Sequence, residues 1–325
     1  MRLVGIEIRR GLARRSTRVL VALAVALIAF MAALVFLNSR AGVNTAEDRA
    51  DAVRDRSAEL GSCIQSGGYG GEISKAPGED VREACERAVG SVEDYVQDKR
   101  FELTALWPKD DDEQRQPADE DDDGGVLGVT AIFVVIGAMM AGATFIGADW
   151  RYGTIGTLLA WEPRRLRVFF AKVAAVALVS FVICVVLQSL VGLSLVPSAV
   201  WRGTTDGADS EWFVGVIGVV LRSSALGAGA ALIGYAVASL GRNTAAALGV
   251  AFGYVAVFEA LVRGLKPQWQ RWLIGENSTV VLFGEQLESA SFERTSVEAG
   301  LILLAYLGMV VGAAALMFTR RDVAA

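Results

Sequence analysis

Residues 173–196 read VAAVALVSFVICVVLQSLVGLSLV, an apolar run without a single charged residue. A helix needs roughly 20 apolar residues to cross the hydrocarbon core of a bilayer. Five further runs have a similar length and few charges, so that the full set is 19–37, 126–148, 173–196, 212–238, 245–262 and 299–319. Because a lone segment in lipid must satisfy its own backbone hydrogen bonds, these runs predict an all-α integral membrane protein with six transmembrane helices.

The composition of the whole chain agrees with this fold class. Hydrophobic residues make up 53% of the 325 residues, and the mean hydropathy is +0.43. A soluble chain of this length has to present a wetter surface.

The distribution of basic residues predicts the orientation in the membrane. Short loops rich in Lys and Arg stay in the cytoplasm. One side has 14 basic residues, namely Arg2, Arg9, Arg10, Arg14, Arg15, Arg18, Arg151, Arg164, Arg165, Arg167, Lys172, Arg242, Arg320 and Arg321. The short loops opposite have five, namely Arg202, Arg263, Lys266, Arg271 and Arg294. We therefore expect both termini to be cytoplasmic.

The N-terminal region is open to two interpretations. A basic start followed by an apolar run is typical of a secretory signal peptide as well as of a membrane anchor. The run 19–37 is longer than a usual signal-peptide core, and no Ala-x-Ala-like site follows it. We expect the first span to remain as an anchor, with 1–18 on the cytoplasmic surface, where an anionic leaflet attracts basic residues.

The segment 39–125 is the one large polar region, and the topology places it outside the cell. It contains 23 Asp and Glu against 11 Lys and Arg. Helix-forming residues predict two helices, over 46–60 and 79–106, separated by a glycine-rich turn. Cys63 and Cys85 would lie in an oxidising compartment and form a disulfide, the alternative being two reduced thiols.

The acidic end of this segment resembles the opening of a calcium-binding loop. Residues 119–124 read DEDDDG, but position twelve of such a loop should be Glu and is Thr130 here. A solvated acidic linker is therefore favoured over a weak cation site.

The sequence has little that could carry out enzymatic chemistry. It has no histidine and only three cysteines, one of them inside a span. Catalytic triads and the usual zinc sites are thereby excluded. A phosphate-binding Gly-x-x-x-x-Gly-Lys loop is also absent, so this chain is not expected to be an ATPase, nor to hold a metal or cofactor of its own.

The segment 149–172, on the predicted cytoplasmic side, is the most informative. Residues 149–165 read DWRYGTIGTLLAWEPRR, in which a charged and aromatic cluster precedes a short amphipathic stretch, a proline and a basic run. This pattern favours a short helix at the membrane face that offers polar groups to a cytoplasmic partner.

These residues resemble the permease subunits of type-2 ABC exporters. The resemblance rests on an acidic residue followed by Gly-Thr, a Leu pair, and a proline with basic residues after it. The matching positions are Asp149, Gly153, Thr154, Leu158, Leu159, Pro163, Arg164 and Arg165. A weaker likeness continues through residues 241–247, which read GRNTAAA. The family usually has Glu at the acidic position and a shorter first outer loop.

The resemblance implies a permease dimer, of two copies or of this chain with a relative, in the bacterial plasma membrane. Each permease would rest a coupling helix in a groove of a separate ATPase subunit, which would bind ATP and Mg²⁺. The residues expected at that contact are Asp149, Arg151, Tyr152, Gly153, Thr154, Glu162, Arg164 and Arg165. The alternative is that these residues only fix the topology and snorkel at the interface. The resemblance also assigns 1–18 as an interfacial elbow helix.

Features of the later spans add candidates for the transport path and for helix packing. Arg222 and Glu259 lie inside spans, where a charge is costly and must face water or a partner. They are candidates for the transport path, the alternatives being an intramembrane pair, or snorkelling for Glu259. Small-residue motifs that predict close helix contacts occur at Gly249 with Gly253, at Gly308 with Gly312, and at Gly227 with Ala231.

The outer loop 263–298 contains Trp269, Trp272 and a short apolar patch. Tryptophans in such loops anchor at the headgroup level. The patch is too short to cross the bilayer, so we expect an interfacial or re-entrant segment, or the packed underside of an external loop.

Three functions remain in competition at this point. The favoured one is an exporter permease that moves an amphipathic or apolar substrate outward, driven by a separate ATPase. A non-transporting receptor or signalling module would use the acidic segment 39–125 to bind an external ligand. An ion-coupled carrier is disfavoured because Glu259 is the one embedded carboxylate and no internal repeat is visible.

Overall fold

The computed structural model describes residues 2–39, 46–67, 80–92, 100–107, 125–283 and 294–320. In these residues the regular structure is helical, apart from an isolated bridge between Glu102 and Thr204. The α-helices of this part of the chain are α1 (Arg2–Ala13), α2 (Arg15–Asn38), α3 (Ala46–Gln65), α4 (Val81–Val89), α5 (Gly125–Arg151), α6 (Thr154–Trp161), α7 (Arg165–Arg202), α8 (Ser210–Gly241), α9 (Thr244–Phe252), α10 (Ala260–Leu265), α11 (Ile274–Phe283) and α12 (Ser296–Arg320).

Six helical segments are long and apolar enough to span a membrane, which confirms the predicted all-α membrane fold. They are α2, α5, α7, α8, the segment Thr244–Leu265 that contains α9 and α10, and α12. Each helix extends past the apolar run that predicted it, because hydropathy locates the part of a helix inside lipid rather than its ends. Much of the segment 149–172, predicted as a loop, is therefore helical, since α5 continues to Arg151 and α7 begins at Arg165.

The fifth span is not a continuous α-helix. Between α9 and α10, Gly253–Glu259 forms a π-helical stretch. Such stretches are rare, and they often occur at functional sites because they change the direction of the side chains that follow. Glu259, at the end of this stretch, is buried.

The core of the membrane unit is the crossing of α5 and α8, where small residues let the backbones approach closely. A Cβ atom added to Gly142 would overlap the carbonyl of Ala231, and one added to Gly234 would overlap the carbonyl of Met139. A Cβ atom on Gly227 would lie 2.7 Å from Sγ of Cys184. Close approach of small residues is the usual way in which helices associate in lipid.

Four other glycines with a predicted packing role have no neighbour against them in the described part of this chain, and their packing against a second permease copy stays a prediction. An added Cβ atom would meet no other atom within 4 Å at Gly249, Gly253, Gly308 or Gly312. The motif spacing places two glycines on one face of a helix, but it does not decide whether another helix lies against that face.

A second compact unit is formed by residues 34–102 and 197–205. In it, a disulfide joins Cys63 of α3 to Cys85 of α4, with a Cα–Cα distance of 5.9 Å, and Val89 packs beside the bridge.

The expectation of one helix over 79–106 is wrong. Helix α4 ends at Val89 because Gly90, at φ 74°, turns the chain out of the helix. The candidate cation loop at 119–124 lies outside the described residues.

The loop after the fifth span contains a short 3₁₀ helix, Pro267–Trp272, followed by α11. Trp269 and Trp272 are both exposed on the 3₁₀ helix. Helix α11 has ten residues, too few to cross a bilayer. It packs against α8 and α12.

Candidate functional site

The turn between α5 and α6 depends on a glycine. The amide of Tyr152 still donates to the carbonyl of Ala148, at 3.0 Å, as the last bond of α5. Gly153 then adopts a left-handed conformation, with φ 65° and ψ 12°. Residues with a Cβ atom rarely adopt this conformation, so the glycine allows α6 to begin at the very next residue.

Helix α6 has one buried and one exposed side. Ile155 is buried, and Leu159 packs against the core of the membrane unit. On the other side, Thr157 and Ala160 are exposed. Trp161 is 87% exposed, and Tyr152, just before the helix, is 73% exposed. Large aromatic side chains that are exposed on one side of a short helix are typical of a protein contact surface.

A proline separates α6 from α7. The amide of Glu162 caps α6 by donating to the carbonyl of Leu158, and Pro163 cannot continue the helix. The carboxylate of Glu162 lies 3.5 Å from the guanidinium of Arg167. Arg165 points the other way and donates to the carbonyl of Thr319 at 3.1 Å, which ties the start of α7 to the end of α12.

Four charged side chains form a buried ion cluster beneath this turn: Glu7, Arg14, Asp149 and Lys172. The ammonium of Lys172 lies 2.8 Å from Oδ2 of Asp149 and 2.9 Å from Oε2 of Glu7. The guanidinium of Arg14 lies 2.7 Å from Oδ1 of Asp149. Two cations and two carboxylates balance one another, as buried charges must.

Besides the ion pairs within it, the buried ion cluster forms hydrogen bonds to the surrounding chain. Arg14 also donates to the carbonyls of Thr144, at 3.4 Å, and of Phe145, and its guanidinium lies 4.4 Å above the Phe145 ring. The hydroxyl of Thr154 donates to Oδ1 of Asp149 at 3.0 Å. One set of contacts therefore holds α1, the α1–α2 junction and the ends of α5, α6 and α7 together.

The turn after α8 packs beside the same end of α5. Arg242 ends α8 in a left-handed conformation, and its guanidinium lies 4.7 Å above the ring of Trp150. The Trp150 ring also packs edge to face against Phe318 of α12, with the two ring centroids 6.4 Å apart. Asn243 then caps α9 by accepting from the amide of Ala245. This is the turn that the weaker sequence likeness over 241–247 indicated.

The structure divides the eight predicted coupling residues into two groups. The exposed residues are Arg151, Tyr152, Gly153 and Arg164. The others bind within the chain: Asp149 is 3% exposed, Thr154 bonds to Asp149, Arg165 bonds to Thr319, and Glu162 pairs with Arg167. Asp149 thus orders the turn from inside rather than presenting its carboxylate at the surface.

Sequence reasoning missed three residues of this region. Glu7 is the first acidic residue in the chain, and the next is Glu47. A single carboxylate within an otherwise basic helix is the sequence feature that could have indicated an ion pair. The sequence indicates Lys172 only as a charge at the edge of the segment 149–172, although its side chain is 2% exposed in the structure. Trp161 belongs to the pattern over 149–165, and only its exposure in the structure marks it as a contact residue.

The two candidates for the transport path lie in different settings. Arg222, half-buried in α8, donates to the carbonyl of Gly218 of its own helix at 3.4 Å. Glu259 is buried, accepts from the amide of Gly275 at 2.8 Å, and lies 3.3 Å from the guanidinium of Arg263. Among the described residues, Glu259 pairs with Arg263 and not with Arg222.

A family model described as ABC-2 family transporter protein matches residues 1–323. The chain belongs to the ABC-2 transporter family. No curated protein matches the chain closely enough to count as a relative. As a member of the ABC-2 family it is a multi-pass transport permease, a membrane component rather than a hydrolase, and the usual location of such proteins is the bacterial plasma membrane. Family membership also implies association with an ABC ATPase in general.

Proposed function

We propose that this ABC-2 permease works as an exporter, with a separate ATPase subunit docked on the exposed side of α6 and on the turn before it. ATP and Mg²⁺ bind on that partner, and an amphipathic or apolar substrate moves outward between two permease copies, or between this chain and a relative. The observation that supports the docking site is the pair of exposed aromatics, Tyr152 and Trp161, at the two ends of α6, whose first residue bonds to the buried ion cluster.

The buried ion cluster gives this contact a mechanical role. A force applied to α6 passes through Thr154 and Asp149 to Lys172 at the start of α7. It also passes through Arg14 to the junction between α1 and α2. ATP-driven movement of the partner is in this way transmitted to several spans at once, which is what a transport cycle requires.

The test compares two exposed tryptophans. Trp161→Ala removes an anchor of the proposed contact, whereas Trp269→Ala removes a tryptophan that is 58% exposed on the loop after the fifth span. The tagged chain is purified in mild detergent from its native membrane, and the bound ATPase and its activity are measured. Trp161→Ala is expected to lose at least about tenfold of the bound ATPase, as for an aromatic hot spot, and Trp269→Ala to lose none. Equal retention in both variants contradicts the docking site.

The glycine at the turn provides a second matched pair. Gly153→Ala introduces a Cβ atom at φ 65°, whereas Gly156→Ala adds one within α6 in open space. The first is expected to impair coupling between ATPase and permease, and the second to leave it intact.

The receptor-like alternative is tested by removing 46–106, which would abolish all activity of a receptor but leave basal ATPase coupling in an exporter.

A further inference from the structure

A groove of about 580 Å³ opens beside the buried ion cluster, between the end of α1, the start of α2 and the end of α5. Four arginines line it: Arg10, Arg14, Arg15 and Arg151. We call it the Arg groove. It shares Arg151 and Tyr152 with the turn that belongs to the proposed ATPase contact, and most of its other lining residues belong to α1, α2 and α5.

The Arg groove has an excess of positive charge. Its one lining carboxylate is Asp149, and both oxygens of that group are already engaged, Oδ1 by Arg14 and Thr154 and Oδ2 by Lys172. Arg15 and Arg151 are exposed, and neither forms an ion pair with a carboxylate in the described ranges of the chain. Two guanidinium groups are therefore available to an anion.

The rest of the lining also favours an anion. The hydroxyl side chains of Ser16, Thr154 and Thr244 border the groove, and each lies in the first turn of its helix. The start of a helix carries positive partial charge from its free amide groups. The hydroxyls of Ser16 and Thr244 can donate to an oxyanion, whereas that of Thr154 already donates to Asp149. These groups add to the field of the arginines.

An apolar stripe leads away from the groove along α2. Val19 follows Arg15 by four residues, and Leu23, Leu27 and Phe30 continue at intervals of three or four. Residues at these intervals share one side of a helix. All four apolar side chains are exposed. The groove is thus continuous with a surface that a hydrocarbon chain can cover.

We propose that the Arg groove binds the phosphate headgroup of an anionic phospholipid, whose acyl chain lies along this stripe of α2. Guanidinium groups bind phosphate through paired, charge-assisted hydrogen bonds. A free phosphate would need only the groove, whereas the stripe of α2 favours a molecule with both a headgroup and a chain. The site does not depend on the proposed ATPase contact. It would make the leaflet lipid a neighbour of Arg14, and through it of the buried ion cluster.

The experiment measures lipid binding to the purified full-length chain by native mass spectrometry. The probes are phosphatidylglycerol, phosphatidylcholine with the same acyl chains, and inorganic phosphate. The variant Arg15→Gln with Arg151→Gln removes the two available guanidinium groups. Its matched control, Arg9→Gln with Arg320→Gln, removes two exposed arginines that do not line the groove. Arg14 is left unchanged because it holds the buried ion cluster.

Phosphatidylglycerol is expected to bind the wild-type chain at least about tenfold more tightly than phosphatidylcholine. The groove variant should lose about tenfold of that affinity while the control loses less than about threefold. Equal losses in the two variants would show a general effect of surface charge and overturn the site. Competition by inorganic phosphate at low millimolar concentration, with no dependence on an acyl chain, would overturn the lipid assignment. If the double variant unfolds, the single variant Arg15→Gln is compared with the single variant Arg9→Gln instead.

Discussion

The ammonium of Lys172 lies 2.8 Å from the carboxylate of Asp149, although both side chains are almost fully buried and the two residues are 23 positions apart in the chain. Glu7 and Arg14 complete the cluster around them. A buried ion pair adds little net stability compared with apolar residues of the same size. Removing one partner is different, because a remaining charge then stays buried with a weaker counter-ion.

The first prediction concerns Lys172→Met, which leaves an unbranched apolar side chain one atom shorter and removes the charge. Asp149 retains Arg14, but Glu7 is left with Arg10 alone, whose guanidinium is 3.6 Å away and partly exposed. The expected loss is about 3 kcal/mol or more of the free energy of unfolding. It is measured as a fall in Tm of the chain in detergent. Lys266→Met, at an exposed lysine, is the control and should leave Tm unchanged.

Neutralising Glu7 as well should restore part of that loss. In Lys172→Met with Glu7→Gln, the stranded carboxylate is replaced by an amide, so the two changes should be less than additive by about 1 kcal/mol or more. Strictly additive losses would contradict the ion cluster, since two independent sites add.

The spans were predictable from the sequence, whereas the buried ion cluster was not. Hydropathy is a local property, and each run that is long and apolar enough appears as a helix in the structure. The pairing of Glu7 with Lys172 joins residues 165 positions apart, and each of them resembles an ordinary charge at a membrane surface. Only the packing of α1 against the ends of the spans removes both from water.

The second prediction uses a pair of glycines that the sequence does not distinguish. Gly142→Ala places a methyl group against the backbone of α8 at Ala231, whereas Gly308→Ala places one in open space on α12. The first should destabilise the chain by about 3 kcal/mol, because a backbone cannot move aside as a side chain can. The second should be neutral or slightly stabilising, since alanine favours a helix over glycine. Thermal unfolding in detergent measures both. A neutral Gly142→Ala would mean that α5 and α8 do not cross as described.

The same comparison shows why motif spacing is a weak guide to packing. Gly227 and Gly249 both belong to small-residue motifs, yet an added Cβ atom meets Cys184 at the first and none of the described residues within 4 Å at the second. Spacing determines which residues share a helical face. Which face meets another helix depends on the arrangement of all the spans, and that information is not local.

The third prediction concerns the cysteines. With Cys63 and Cys85 bonded and Cys184 free, a thiol reagent in denaturant should label one cysteine per chain without reductant and three after reduction. In Cys184→Ala the unreduced chain should not react at all. Replacing Cys63 and Cys85 with Ser should destabilise the unit that contains α3 and α4 by about 3 kcal/mol, as expected for a bridge of this span. Limited proteolysis reports that loss as faster cleavage within 46–106. Three reactive thiols before reduction would contradict the disulfide.

The fourth prediction concerns Glu259, at the end of the π-helical stretch of the fifth span. Its buried carboxylate accepts from the amide of Gly275, at the start of α11, and lies near Arg263, which also pairs with Glu276 at 2.7 Å. Glu259→Ala leaves that amide without an acceptor, so a loss of about 2 kcal/mol is expected. Little of it should come from Arg263, because that side chain is nearly half exposed and water screens its charge.

The matched control for this change is Glu211→Ala, at an exposed acid in the first turn of α8, which should alter the free energy of unfolding by less than about 0.5 kcal/mol. Tm in detergent measures the global effect, and the rate of proteolysis within residues 267–283 measures the local one. Both should change in Glu259→Ala. A fall in Tm without faster cleavage there would show that Glu259 stabilises the fifth span alone, since the bond to Gly275 is what connects it to α11.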